Sequence, residues 1–260
     1  MGVSAAVWWL AAPAAAPDDD TTALPVPPFP PRITEGSTYE ACLAMLASDP
    51  GSALSMAEGW QEKGGGEGAQ HCRGLALIAI GQPADGAALL EQLARQSTAP
   101  PLARALVLGQ AAQARLMVAQ ADPAASDATM GLGLSPTDTE LLIMRASAEG
   151  MLNQFQAAVN DLSAALRLDA TRPDALVARA VMRRKLNQLD LAQADVTRAL
   201  TLDPDDADAL LERGILRQRM GDAAGARADW EHARGVDPNS TTADLAQQNL
   251  SLLEAGPQRQ

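Results

Sequence analysis

Apolar positions in the C-terminal half of the chain recur at helical spacing, and the whole pattern recurs every 34 residues. From Thr139 to Arg172, Leu142, Ala146 and Met151 form one stripe, Asn153 interrupts it, and Phe155, Ala158, Leu162, Ala165 and Leu166 form a second. This predicts two antiparallel helices joined by a tight turn. The same columns run through neighbouring segments: Leu108, Leu142, Leu176, Leu210; Ala112, Ala146, Ala180, Gly214; Ala124, Ala158, Ala192, Ala226; Gly131, Ala165, Ala199, Ala233. A fixed period of this size implies stacked copies of one helical hairpin, each burying its face on the next, rather than one enclosed core.

The turns repeat with the helices. Ala119, Asn153, Asn187 and Gly221 share the column inside each hairpin, where Asn and Gly tolerate the left-handed backbone that ends a helix. Between hairpins stand Ser135-Pro136, Asp169-Ala170, Asp203-Pro204 and Asp237-Pro238; proline there stops the outgoing helix. The small-residue columns mark close helix crossings, where a larger side chain would hold the backbones apart. Bulk returns in the column Ala128, Leu162, Val196, Trp230. Charge repeats too: Arg145, Arg179 and Arg213 on first helices, each followed sixteen residues later by Asp161, Asp195 and Asp229 on second helices. These pairs predict ion pairs within each hairpin; a row of ligand-binding arginines is the competing reading.

The hairpin resembles the tetratricopeptide repeat: helix-turn-helix form, small-residue columns, an Asn or Gly turn, and a closing Asp-Pro. Ala207–Ser240 carries the resemblance best, through Gly214, Gly221, Ala226, Trp230, Ala233 and Pro238. It departs in the first helix, where Leu and Ala replace the family's usual Trp and Tyr. The resemblance implies an all-α, right-handed superhelical solenoid of antiparallel helix pairs, about six repeats plus a C-terminal capping helix. Residues 105–240 read as four 34-residue units, and 33–104 as degenerate repeats of the same kind. Within the latter, one unit spans about Glu67–Ala99, with Gly74 in the small column, Gly81 at the turn, and Gly86, Leu90 and Leu93 on the second helix. A shorter one spans Tyr39–Gly66, with Ala53, Ala57 and Trp60 on its second helix. Residues 241–260 read as a capping helix, Thr241 to Ala255, and a tail.

The leading segments differ in kind. Val3 to Ala16 are mostly apolar and end in Ala14-Ala15-Ala16, so residues 1–16 read as a signal peptide, although no Lys or Arg precedes the apolar run. The run is too short to span a bilayer as a helix. Residues 17–32 carry Pro17, Pro25, Pro27, Pro28, Pro30 and Pro31 with Asp18, Asp19 and Asp20, and read as an extended tether. The expected location is periplasmic or secreted, the alternative cytoplasmic.

Composition sharpens this picture. Hydrophobic residues are 47% of the 260, but aromatics only 3%, with alanine the commonest apolar residue, which suits closely packed helices. The net charge of -12 disfavours nucleic acid and anionic membranes and favours, weakly, basic partners. No G-x-S-x-G elbow, H-E-x-x-H or P-loop occurs, and Gly64–Gly68 lacks a following Lys-Ser or Lys-Thr. The chain is therefore read as a non-enzyme with no cofactor and no metal. Cys42, Cys72 and His71 are candidates for a cluster, but His232 lies several hairpins away and the spacing fits no structural zinc pattern. The two cysteines sit on first helices of consecutive hairpins. Such helices pack at about 8–10 Å, so facing Cα atoms reach disulfide range, and in an oxidising compartment a Cys42–Cys72 bond is expected.

In a stack of helix pairs the first helices line the concave side. The resemblance implies a protein or peptide ligand there. The groove-facing set is Ile143, Ser147 and Met151; then Val177, Val181, Arg184 and Lys185; then Leu211, Ile215, Gln218 and Arg219. This predicts an apolar wall with a basic rim at Arg184, Lys185 and Arg219, the bland reading of the rim being cations at helix C-termini. The family's clamp for a C-terminal carboxylate uses Lys and Asn where this chain has Val177 and Val181, so that clamp is not expected. Two functions remain: an interaction scaffold in the cell envelope, or a cytoplasmic adaptor or accessory subunit of an enzyme complex. The sequence leaves the oligomeric state and the partner open.

Overall fold

The computed structural model describes residues 32–255, and within them the chain is all helix, thirteen in number, with no strand. The segments read as signal peptide and tether, 1–31, and the last five residues lie outside the described residues. The chain divides into two compact units between Pro136 and Thr137.

The first unit holds three hairpins: α1 (Ser37–Met45) with α2 (Pro50–Glu62), α3 (Gly66–Ala79) with α4 (Pro83–Gln96), and α5 (Pro101–Met117) with α6 (Ala121–Leu134). Proline opens α2, α4 and α5, where a missing N–H costs nothing. The core runs through Tyr39, Cys42, Cys72, Leu90, Leu93, Val107 and Leu108. Gly74 is required by close approach: a Cβ there would stand 2.7 Å from Leu90 Cδ2.

The second unit pairs α7 (Thr139–Met151) with α8 (Phe155–Leu168), α9 (Pro173–Lys185) with α10 (Leu189–Leu202), and α11 (Ala207–Arg219) with α12 (Ala223–Val236). The single helix α13 (Thr241–Ala255) covers the last pair. Ala158, Ala192 and Ala226 are fully buried at the crossings, and the bulk column Leu162, Val196, Trp230 fills the space between. Asp138, Asp206 and Asp222 cap α7, α11 and α12 by accepting the N–H of Leu141, Ala209 and Gly225. The turn column is left-handed throughout: Ala119 (φ 57°), Asn153 (60°), Asn187 (58°) and Gly221 (91°).

Candidate functional site

The residues expected to face a ligand lie on α7, α9 and α11, the first helices of the second unit. Val177 is buried in the alanine-rich core, Leu211, Ile215 and Ile143 are half-buried and pack along its edge, and Val181 is half-buried. Met151 is 45% exposed at the end of α7. The Ser147 hydroxyl turns back to donate to the Ile143 carbonyl, 2.9 Å away, so it is occupied within its own helix. Between α9 and α11 lies an open hollow of about 390 Å³. Its floor is Val177, Ala178, Val181 and Leu211, and its polar lining is Asp174, Asp206, Asp208 and Glu212.

The expected basic rim is only partly present. Lys185, Gln218 and Arg219 are exposed at the C-terminal ends of their helices. Arg184 is not a free cation. Its guanidinium clasps both oxygens of Glu212 on the next hairpin, at 2.5 and 3.0 Å, and the carboxylate is 3% exposed. Burial pushes the Glu212 carboxyl above its usual range, against the pull of Arg184. The pair fastens α9 to α11 and leaves acid as the dominant charge beside the hollow.

The arginine–aspartate columns form the expected intra-hairpin pairs. Arg145 Nη2 and Arg179 Nη2 reach Asp161 and Asp195 at 2.8 and 2.7 Å, and Arg213 Nη2 reaches Asp229 at 2.6 Å. In each pair Nε grips the other oxygen, at 2.5, 2.9 and 2.9 Å. A second arginine one turn on, Arg183 or Arg217, adds a bond to Asp195 or Asp229 at 2.6 and 2.7 Å. Arg179 also donates to Ser163 on α8, tying successive hairpins together. These aspartates are buried, so the row is internal scaffolding and offers no open row of cations to a ligand.

In the first unit Cys42 and Cys72 are joined, their Cα atoms 6.2 Å apart. Beside the bond lies a polar chain absent from the sequence reading. Gln110 Oε1 can only accept, so the His71 Nε2–H donates to it at 2.7 Å. His71 Nδ1 therefore accepts the Tyr39 hydroxyl, at 2.5 Å. Burial drives His71 down to about 4 and Tyr39 up to about 12, so both are neutral at physiological pH. The chain links α1, α3 and α5 through their interiors. Among the described residues no three His, Cys, Asp or Glu side chains gather to hold a metal ion, and no helix is long and apolar enough to cross a membrane.

This stack of two-helix hairpins is the tetratricopeptide-repeat fold. Residues 185–251 match the family profile described as "Tetratricopeptide repeat". Among solved structures the chain is similar to MamA 41-end from Desulfovibrio magneticus RS-1, at 16% identity over 67% of this chain and 97% of that one, TM-score 0.58. It is similar to TTC0263, a thermophilic TPR protein in Thermus thermophilus, at 19% identity, 73% and 99% coverage, TM-score 0.57. It also resembles the APC/C hetero-tetramer Cut9-Hcn1, at 15% identity, 82% and 42% coverage, TM-score 0.61. No curated protein matches the sequence.

Proposed function

We propose that the chain is a non-catalytic interaction scaffold of the bacterial cell envelope, holding a protein or peptide segment against the first helices of its second unit. The observation that carries the reading is the hollow between α9 and α11, whose apolar floor of Val177, Val181 and Leu211 is left open by the described residues. Arg179, Arg184 and Arg213 of this unit are each held in an inter-helix pair and serve the scaffold. Export is supported by the apolar run ending in Ala14-Ala15-Ala16 and by the buried Cys42–Cys72 bond, which suits an oxidising compartment. A cytoplasmic adaptor is the second reading, and the disulfide weighs against it.

The test is a photo-crosslinking residue placed at Val181, with a control at the exposed Thr197 on α10. Partner adducts only from position 181 are expected. Equal adducts from both, or adducts from 197 alone, reject the groove. Fractionation of the native cells decides location: recovery in the cytoplasm with free thiols rejects export.

A further inference from the structure

The groove reading leaves the chemistry of the ligand open, and the lining of the hollow constrains it. Among the described residues four carboxylates and no cation line the space, while Arg184, Arg219 and Lys185 act on Glu212 at its edge. Glu212 is spoken for by Arg184, and Asp174 by Arg172, which donates to Glu140 as well. The other two hold neutral donors. Asp206 accepts the N–H of Ala209 at 2.9 Å, and Asp208 accepts the Thr242 hydroxyl at 2.5 Å. Burial lifts the Asp206 carboxyl above its ordinary range, offset by the Ala209 N–H and helped by the like charges of Asp208 and Asp203.

Resting on the groove reading, we propose that this hollow takes a cationic, apolar segment of a partner protein. An aliphatic side chain seats against Val177, Val181 and Leu211, and a neighbouring Lys or Arg head lies beside Asp206 and Asp208. An acidic segment would place like charge on Asp206 and Asp208, and on a chain of net charge -12. A neutral apolar segment would fill the floor but leave the Asp206–Asp208 field unanswered. The same field favours encounter with cationic segments from a distance, an effect that salt screens.

The experiment uses the intact, oxidised chain and three fluorescein-labelled peptides of one length. Each alternates Val or Leu with a single second residue: Lys in the first, Gln in the second, Glu in the third. Fluorescence anisotropy at low and high salt reads the affinity. The Lys peptide is expected to bind roughly tenfold tighter than the Gln peptide at low salt, with the margin shrinking at high salt. The Glu peptide is expected to bind weakest. Asp208→Lys should weaken the Lys peptide by roughly tenfold and strengthen the Glu peptide, with the helical circular-dichroism signal unchanged. Equal binding of Lys and Gln peptides, a tighter Glu peptide, indifference to Asp208→Lys, or no binding by any of the three overturns the cationic assignment. The groove itself stands or falls separately, on the crosslinks from position 181.

Discussion

Glu149 stands within electrostatic reach of Asp161, at the position where the next two hairpins place an arginine. The column Arg115, Glu149, Arg183, Arg217 keeps the 34-residue step. Arg183 and Arg217 are hydrogen-bonded to Asp195 and Asp229, and Arg115 lies 2.7 Å from Asp127. In the α7–α8 hairpin a carboxyl fills the place instead. Burial, then the charge of Asp161, push Glu149 from its ordinary 4.5 up to about 7, with Arg145 pulling the other way.

Glu149→Arg therefore completes the ladder and should stabilise the chain by about 1 kcal/mol at pH 8, read as a higher thermal midpoint. The sign of the pH dependence follows from the raised value. A carboxyl that holds its proton more tightly in the fold stabilises it fully at low pH, and loses that contribution as pH rises from 4.5 through about 7. Glu149→Gln should remove this slope. An unchanged midpoint in the arginine variant at pH 8 would refute the account.

The hairpins are legible in the sequence because each buries the same face on an equivalent neighbour, which forces one 34-residue spacing on the small, bulky and charged columns alike. The Arg145–Asp161 family of pairs is readable for the same reason. The second arginine column keeps that step too, but Glu149 interrupts it. The Tyr39–His71–Gln110 chain cannot be read that way. Its separations, 32 and 39 residues, match no common period, since the hairpins of the first unit differ in length. Arg184 reads in sequence as a free rim cation because its partner, Glu212, stands 28 residues on, on the neighbouring hairpin. Only the lateral packing of α9 on α11 brings them together.

Ala119 carries a Cβ in left-handed backbone at φ 57°, where the equivalent positions use Asn153, Asn187 and Gly221. That conformation costs an L-residue other than Gly or Asn about 1 kcal/mol or more. Ala119→Asn should raise stability by about 0.5–1 kcal/mol, measured as a shifted urea midpoint at unchanged slope. A lower midpoint would mean that the turn relies on Ala119 for something other than its backbone angle.

His71 sets an acid limit on the first unit. Its value falls from 6.5 to about 4 through burial, offset in part by Gln110, so the unfolded chain binds the proton more readily. The neutral ring contributes stability that is complete above 6.5 and is lost as pH falls towards 4, on the order of 3 kcal/mol in all. Denaturant titrations of the native chain and of His71→Gln at stepped pH isolate this group. The difference between them should shrink as pH falls from 6.5 to 4, and a constant difference counts against it.

The Cys42–Cys72 bond closes a loop across a separation of 30 residues, and both sulfurs are fully buried. Chain entropy assigns it about 3–4 kcal/mol. Cys42→Ala with Cys72→Ala should lose that much, again by urea midpoint. In the native protein dithiothreitol should act only as fast as α1 opens from α3, so reduction should accelerate steeply with denaturant. Fast reduction under native conditions would show that the bond is reached without unfolding.

Gly214 and Trp230 are a matched pair, sixteen residues apart like Ala146 with Leu162 and Ala180 with Val196. The fully buried indole donates its Nε1–H to the Leu211 carbonyl at 3.2 Å, and it fills the volume where a Gly214 Cβ would go. Small against large is thus conserved in sum while the members vary from hairpin to hairpin. Gly214→Ala should overpack the crossing and cost about 1–3 kcal/mol. Trp230→Val should leave a cavity and cost about 3 kcal/mol or more. Together they reproduce the Ala180–Val196 arrangement, so the double variant should lose less than the sum, by about 1 kcal/mol or more. Strict additivity in the urea midpoints would mean that the two columns do not share one space.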